Sequence, residues 1–323
     1  MAVYTDVSDE ALASFLTDYA LGELVAFRGI AEGVENSNFS LRTGTGDYIL
    51  TLYEKRVDPR ELPWFLGLMR HLAQRGVTCP QPVAGHDGEA LRMLAGRPAA
   101  ITSFLSGVWP RRVRPEHCRL LGVALATLHL AGADYGHERP NALGPAAWRP
   151  LLESCRSTGD VVQPGLVAEL DRALDSILPA WPSDLPRGQI HADLFPDNVF
   201  FLETGGSRTL SGLIDFYFAC TDLLAYDLGV CLNAWCFEPG MEFNVTKAKL
   251  LLAGYASIRP LDAAERAALP VLAQGAAIRF LLTRLYDWVN TPPGAMVTRK
   301  DPLEYLRRLR FHLAAATPEA LGL

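Results

Sequence analysis

Three polar side chains on one short segment, and a fourth one strand later, carry the most specific chemistry in this sequence. Between Gly188 and Phe201, His191, Asp193, Leu194 and Asn198 follow the spacing H-x-D-L-x-x-x-N, and after a glycine-rich turn Asp215 follows the apolar pair Leu213-Ile214. Moving a phosphoryl group from a nucleotide to a hydroxyl needs an acceptor for the hydroxyl proton and hard oxygen ligands for Mg²⁺ bridging the phosphates. A tight loop can aim Asp193 at the hydroxyl and, five residues on, Asn198 at the metal. Asp215, at the end of a paired strand, can reach the same ions. His191 joins Asp193 as a catalytic-loop residue, in the role of a buried hydrogen-bond post that orients the backbone rather than a proton carrier. Asp197 is a loop residue near enough to the metal position to stand as a further candidate.

The elements that must hold this segment differ on its two sides. Ser8 caps a first helix with Leu12, Phe15, Leu16 and Tyr19 on one face. Leu24–Ile30, Asn38–Arg42 and Tyr48–Tyr53 read as strands, the last two joined at Gly44-Thr45-Gly46-Asp47. Asp58 as N-cap, Pro59 at the first position and Glu61 closing a capping box predict a helix ending at Gly76. Two further strands, Ala90–Leu94 and Pro98–Leu105, meet at Ala95-Gly96-Arg97. From Pro115 helices dominate: Glu116–Leu130, Gly165–Ile177, Asp222–Trp235, Asn244–Ser257, a long stretch within Leu261–Val289, and Pro302–Ala315. The expected class is α+β, with residues 1–105 forming a small antiparallel-sheet lobe and residues 106–323 a mainly helical one.

Composition narrows the partners. The 323 residues are 49% hydrophobic and 20% charged, which suits a folded core and excludes disorder and collagen. Thirty basic against 36 acidic side chains give a net charge of -6 without long blocks of either sign, so no electrostatic footprint for nucleic acid is present. The uncharged stretch Leu120–Ala133 is shorter than the ~20 residues that a bilayer core requires, and the N-terminus lacks a basic region before an apolar one. We therefore expect no membrane span and a cytoplasmic location. The six cysteines lack C-x-x-C spacing, and their apolar settings suit reduced thiols.

The loop pattern, with EGVENSNFSLRT, YILTLYEKR, ELPWFLGLMRHLAQRGVTCPQPV and IHADLFPDNVFF, resembles the aminoglycoside phosphotransferase and choline kinase superfamily, and within it the homoserine kinases of that type. The resemblance implies a bilobal protein-kinase-like fold, ATP as co-substrate, Mg²⁺, and a small hydroxylated amino acid as acceptor. It places a phosphate-covering loop at Gly29–Asn38, where Gly33, Asn36 and Ser37 would meet phosphate oxygens, although a full G-x-G-x-x-G is missing. It puts Thr51 at the usual strand-lysine position, leaving Lys55 to reach inward from further along, with Glu61 as its possible helix partner. The hinge that would hold adenine falls near Thr102–Leu105, making Ser103, Leu105 and Ile214 binding candidates, with Ile101 a further apolar wall. For homoserine the site needs a guanidinium or donor cluster and a carboxylate, and Arg279 on an apolar helix is the candidate for the first, although a charge on such a helix more often forms a structural salt bridge. Tyr226-Asp227 is expected to anchor the helical lobe. Near-equal numbers of acidic and basic residues after Phe216 favour a zwitterionic acceptor over a polycation. Aminoglycoside, choline and methylthioribose kinases, and a nucleotide-binding pseudokinase scaffold, remain the rival readings.

Overall fold

Residues 4–30, 36–54, 58–291 and 299–323 are described by the computed structural model. The chain divides into two compact units, Met1–Gly107 with Ser211–Tyr217, and Val108–Leu210 with Phe218–Leu323.

The first unit is a five-stranded antiparallel sheet with helices. α1 (Asp9–Leu16) starts where the Ser8 hydroxyl accepts the Ala11 N–H. The strands β1 (Leu24–Gly29), β2 (Ser37–Thr43), β3 (Gly46–Leu52), β4 (Leu91–Leu94) and β5 (Arg97–Ser103) are ordered β1-β2-β3-β5-β4. Along β2, Ser37, Phe39, Leu41 and Thr43 are buried while alternate residues are more open, as a half-buried strand requires. The β4–β5 turn uses positive φ at both Ala95 and Gly96, matching the strand twist. Phe39, Leu41, Leu50, Leu52 and Ile101 join Leu12 and Phe15 in one core, so Ile101 is core rather than a wall for a ligand.

α2 (Leu62–Gln74) starts later than its sequence suggests. Asp58 does not cap it, because its carboxylate is taken by the Arg60 backbone N–H and guanidinium. Glu61 is itself the N-cap residue and makes no side-chain capping bond.

The second unit is mainly helical: α3 (Pro115–Ala131), α4 (Pro145–Cys155), α5 (Leu166–Ile177), α6 (Leu224–Trp235), α7 (Val245–Ala256), α8 (Ala263–Asn290) and α9 (Pro302–Ala314). Short strands interrupt it: β6 (Arg187–Ile190) pairs antiparallel with β9 (Cys220–Leu223), and β7 (Val199–Thr204) forms a two-stranded sheet with β8 (Ser207–Leu213). The helix expected from Asp222 begins two residues later. Asp222 lies in β9 opposite Gly188, and its carboxylate accepts from Leu223 N and Asn141 Nδ2. α4 was hidden in the sequence by Pro145 and Pro150, yet it buries Trp148, Leu152 and Cys155. α3 and α7 pack backbone to backbone, since a Cβ on Gly122 would lie 2.1 Å from the Leu251 carbonyl oxygen. All six cysteines are free and buried.

α8 is long and apolar enough to cross a membrane by length and composition, but 78% of its most apolar window is buried inside the protein. Arg279 and Arg284 interrupt it, which is why a search for uncharged stretches passes over it. It is the core helix of the second unit.

A buried histidine makes this unit acid-sensitive. His312 is 1% exposed, its ring lies among Phe237, Phe243 and Phe311, and neither ring nitrogen has a hydrogen-bond partner among the described residues. Burial, with Arg308 nearby, lowers its pKa to about 3. The unfolded chain then takes up a proton near pH 6.5 that the folded state refuses, so stability falls as pH drops below that value. Between pH 7 and 5 the loss from this one group is about 2 kcal/mol. We expect His312→Phe to flatten the denaturation midpoint against pH over that interval. An unchanged slope would remove His312 from the account.

Candidate active site

Within the second unit, the loop after β6 is built around a backbone conformation that only outside support maintains. Ala192 has φ 61°, a left-handed value costing a non-glycine residue on the order of 1 kcal/mol or more. It is held at both ends: its N–H donates to Asp227 Oδ1 at 2.9 Å, and its carbonyl accepts from Arg279 Nη1 at 3.3 Å. The His191 N–H donates to the other Asp227 oxygen at 2.7 Å. The carbonyl of Leu194 accepts from Trp235 Nε1 at 2.7 Å.

This support fixes Asp193, whose side chain is 17% exposed. Asn198 Nδ2 donates to the Asp193 carbonyl at 2.8 Å and lies 3.3 Å from its Oδ2, while Arg279 Nη1 lies 3.5 Å from its Oδ1. Burial pushes the Asp193 carboxyl above its usual range, and Arg279 opposes the shift. With the Asn198 nitrogen turned toward Asp193, its side-chain oxygen is the end suited to ligate a hard cation. His191 is fully buried, in keeping with a supporting post. Asp197 is exposed.

Asp227, expected to anchor the helical lobe, anchors the loop itself, and its own surroundings extend deep into the helical unit. His129 Nε2 approaches Asp227 Oδ2 at 3.3 Å, His129 Nδ1 meets the Tyr255 hydroxyl at 2.7 Å, and Arg259 donates to that hydroxyl while pairing with Glu265. Burial alone would raise the Asp227 carboxyl, but the His129 contact and the His191 backbone N–H outweigh it and hold the pKa below the usual range. The sequence signal for His129 was a polar residue inside the uncharged apolar stretch Leu120–Ala133; Trp235 and Tyr255 gave none.

In the first unit, Asp215 stands exposed beyond β8 with φ 65°, another left-handed non-glycine residue. Tyr217, two residues on, hydrogen-bonds Tyr53 at 3.0 Å and packs against Phe65, so the strip carrying Asp215 is tied to β3 and α2. Leu105 lies against the same strip: a Cβ on Gly212 would come 2.8 Å from its Cδ1, and Ile214 follows two residues later. The Ser103 hydroxyl accepts the Gln81 N–H at 2.9 Å and pins the end of β5.

The phosphate-side candidates fare differently. Ser37 is fully buried, accepts the Tyr4 and Thr5 N–H groups, and gives its one proton to Glu54 Oε1, so its hydroxyl is structural rather than a phosphate donor. Asn36 accepts the Glu54 N–H through Oδ1, which leaves its NH₂ end for a ligand. Thr51 donates to Asn38 Oδ1 at 2.8 Å and joins β3 to β2. Gly33 and Lys55 lie outside the described residues. Among the described residues no group of three or more His, Cys, Asp or Glu could hold a metal ion. Asn198 in the second unit and Asp215 in the first each carry an oxygen donor of the kind Mg²⁺ prefers.

Residues 26–261 match the phosphotransferase enzyme family. The homoserine kinase of Granulibacter bethesdensis is 68% identical over 323 residues, covering 100% of both chains, and that of Rhodospirillum rubrum is 63% identical, covering 100% of this chain and 99% of its own. The chain belongs to the homoserine kinases of this phosphotransferase family. Among solved structures, the amicoumacin kinase hAmiN, determined with AMP-PNP, Ca²⁺ and Ami, matches with a TM-score of 0.71 at 14% identity, over 96% of this chain and 95% of that one. A microcompartment-associated aminopropanol kinase matches with a TM-score of 0.65 at 19% identity, over 98% and 99%. These likenesses establish the kinase-like fold.

Proposed function

We propose that the protein transfers the γ-phosphoryl group of ATP to the side-chain hydroxyl of L-homoserine, yielding ADP and O-phospho-L-homoserine. The observation that carries this reading is the full-length identity to homoserine kinases, reaching 68% without a gap in coverage. The hydroxyl oxygen attacks the γ-phosphorus in line, the bond to the β–γ bridging oxygen breaks, and the hydroxyl proton passes to Asp193. Asn198, through its side-chain oxygen, and Asp215 would hold Mg²⁺, which when bound neutralises charge on the phosphates. Arg279 holds Asp193 and the Ala192 carbonyl, which supports the salt-bridge reading of this residue over that of a substrate clamp. Leu105, Ile214 and the backbone near Ser103 would take the adenine, and the Asn36 amide and Lys55 the phosphates. The six buried free thiols suit a reducing compartment, and we place the enzyme in the cytoplasm.

The test is a coupled ADP-release assay with homoserine, 1,3-propanediol, 3-amino-1-propanol, choline, methylthioribose and kanamycin. Losing one charged partner of a specific site typically costs about 2–5 kcal/mol, so homoserine should exceed the diol and the amino alcohol by at least ~30-fold in kcat/KM. Comparable rates, or a faster reaction with one of the other three acceptors, would overturn the acceptor while leaving the role of Asp193 intact.

A further inference from the structure

A cation that the mechanism does not use stands beside the loop that follows β6 in the second unit. Lys300 is exposed, and its Nζ sits 5.5 Å from the ring centroid of Phe195, two residues beyond Asp193. Among the described residues it makes no ion pair within 4.0 Å, although its charge acts on both Asp193 and Glu304. An unpaired lysine on a solvated surface is usually mobile, but the structure holds this one at both its base and its head.

At its base, Asp301 caps α9 by accepting the Leu303 N–H, Pro302 starts the helix, and Arg284 donates to the Asp301 carbonyl at 3.2 Å. Arg284 also pairs with Glu304 at 2.6 Å, so the residue following Lys300 is tied to α8. At its head, the Phe195 ring is wedged against Phe280 at 4.8 Å and Tyr305 at 6.4 Å, a fixed aromatic face over which an ammonium is attracted.

The other cations nearby are already engaged. Arg279 is buried, paired with Asp193 and stacked over Phe280 at 3.8 Å; Arg284 and Arg308 share Glu304. A substrate whose hydroxyl reaches Asp193 and which also carries a carboxylate therefore meets, in Lys300, an accessible positive charge without an ion-pair partner among the described residues. We propose that Lys300 is the specificity residue that recognises the α-carboxylate of the acceptor amino acid. The assignment rests on homoserine being the acceptor, and it moves the carboxylate partner from Arg279 to a residue beside the Phe195 ring. The same charge placed near Asp193 would suit the oxygens of the phosphoryl group in transfer, so the experiment must separate the two anions.

Lys300→Met keeps the apolar stem over Phe195 and removes the charge; Lys300→Arg keeps the charge. Each is assayed beside the wild type with homoserine and with 3-amino-1-propanol, which lacks the carboxylate. Lys300→Met should raise the KM for homoserine about tenfold to a hundredfold, leave the KM for ATP and kcat/KM for 3-amino-1-propanol within about twofold of wild type, and be largely rescued by the Arg variant. An equal loss with both acceptors, or a raised KM for ATP, would assign Lys300 to the phosphoryl group and overturn the proposal. So would unchanged homoserine kinetics. A wild-type enzyme inactive on homoserine would overturn the acceptor reading first and this assignment with it, an outcome distinct from an active enzyme indifferent to Lys300.

Discussion

Asp193→Asn is expected to lower turnover by ~10²–10⁴-fold while leaving the affinity for Mg·ATP essentially unchanged. The amide is isosteric and can still accept the Asn198 Nδ2 bond through its oxygen, so the loop retains its shape. It cannot take the hydroxyl proton, and it leaves the buried Arg279 guanidinium without its carboxylate. That second effect costs stability, so thermal unfolding must accompany the kinetics, to show that the residual rate belongs to folded enzyme. Isothermal titration with Mg·ATP completes the test. Near-normal turnover in a folded variant would sink the proton-acceptor role. A lost nucleotide affinity would instead place Asp193 on the phosphate side.

What could be read from the sequence, and what could not, follows the range over which each feature is determined. Asp193 and Asn198 are five residues apart on one turn, and their hydrogen bond is local; spacing alone was enough to bring them together. The sheet of the first unit was legible because alternation and turn residues set it strand by strand. Asp227 lies 35 and 36 residues from the backbone groups it holds, and the sequence pointed to an anchor of the helical lobe rather than of this loop. Ser37 was misassigned for the same reason. Its hydroxyl is spent on Tyr4, Thr5 and Glu54, partners distant in the chain, so a residue with the right chemistry next to a phosphate loop was already occupied. Proline in α4 and the short pairing of β9 before α6 defeated local propensity, because burial of Trp148 and the β6 ladder outweighed it. Arg279 reads in the sequence as a charge on an apolar helix that needs a partner; only the tertiary structure identifies that partner as the Asp193 carboxylate.

The positive φ at Ala192 explains why the support beneath the loop has to be so extensive, and it leads to the second large effect. A strained residue persists only if its neighbours over-determine it. Here Asp227 binds the N–H groups of His191 and Ala192 with one oxygen each and also receives His129, all in a site with no solvent exposure. Asp227→Asn replaces one accepting oxygen by an NH₂ group. Whichever way the amide turns, a backbone donor faces another donor, and a buried unsatisfied donor costs about 1–3 kcal/mol. Ala192 is then free to leave φ 61°, which swings Asp193 away from Asn198 and Arg279. We expect kcat to fall by roughly a hundredfold, with the KM for ATP nearly unchanged and a lowered denaturation midpoint, because about 1 Å of misplacement at a reacting group has costs of this order. A purely structural Asp227 would lower the midpoint and leave the kcat of the folded fraction intact at 25 °C, so active-site titration of that fraction decides between the two. Replacing Ala192 by Gly in the Asp227→Asn background removes the strain that drives the loop out of place, and should recover part of the lost kcat if the coupling runs through that backbone angle.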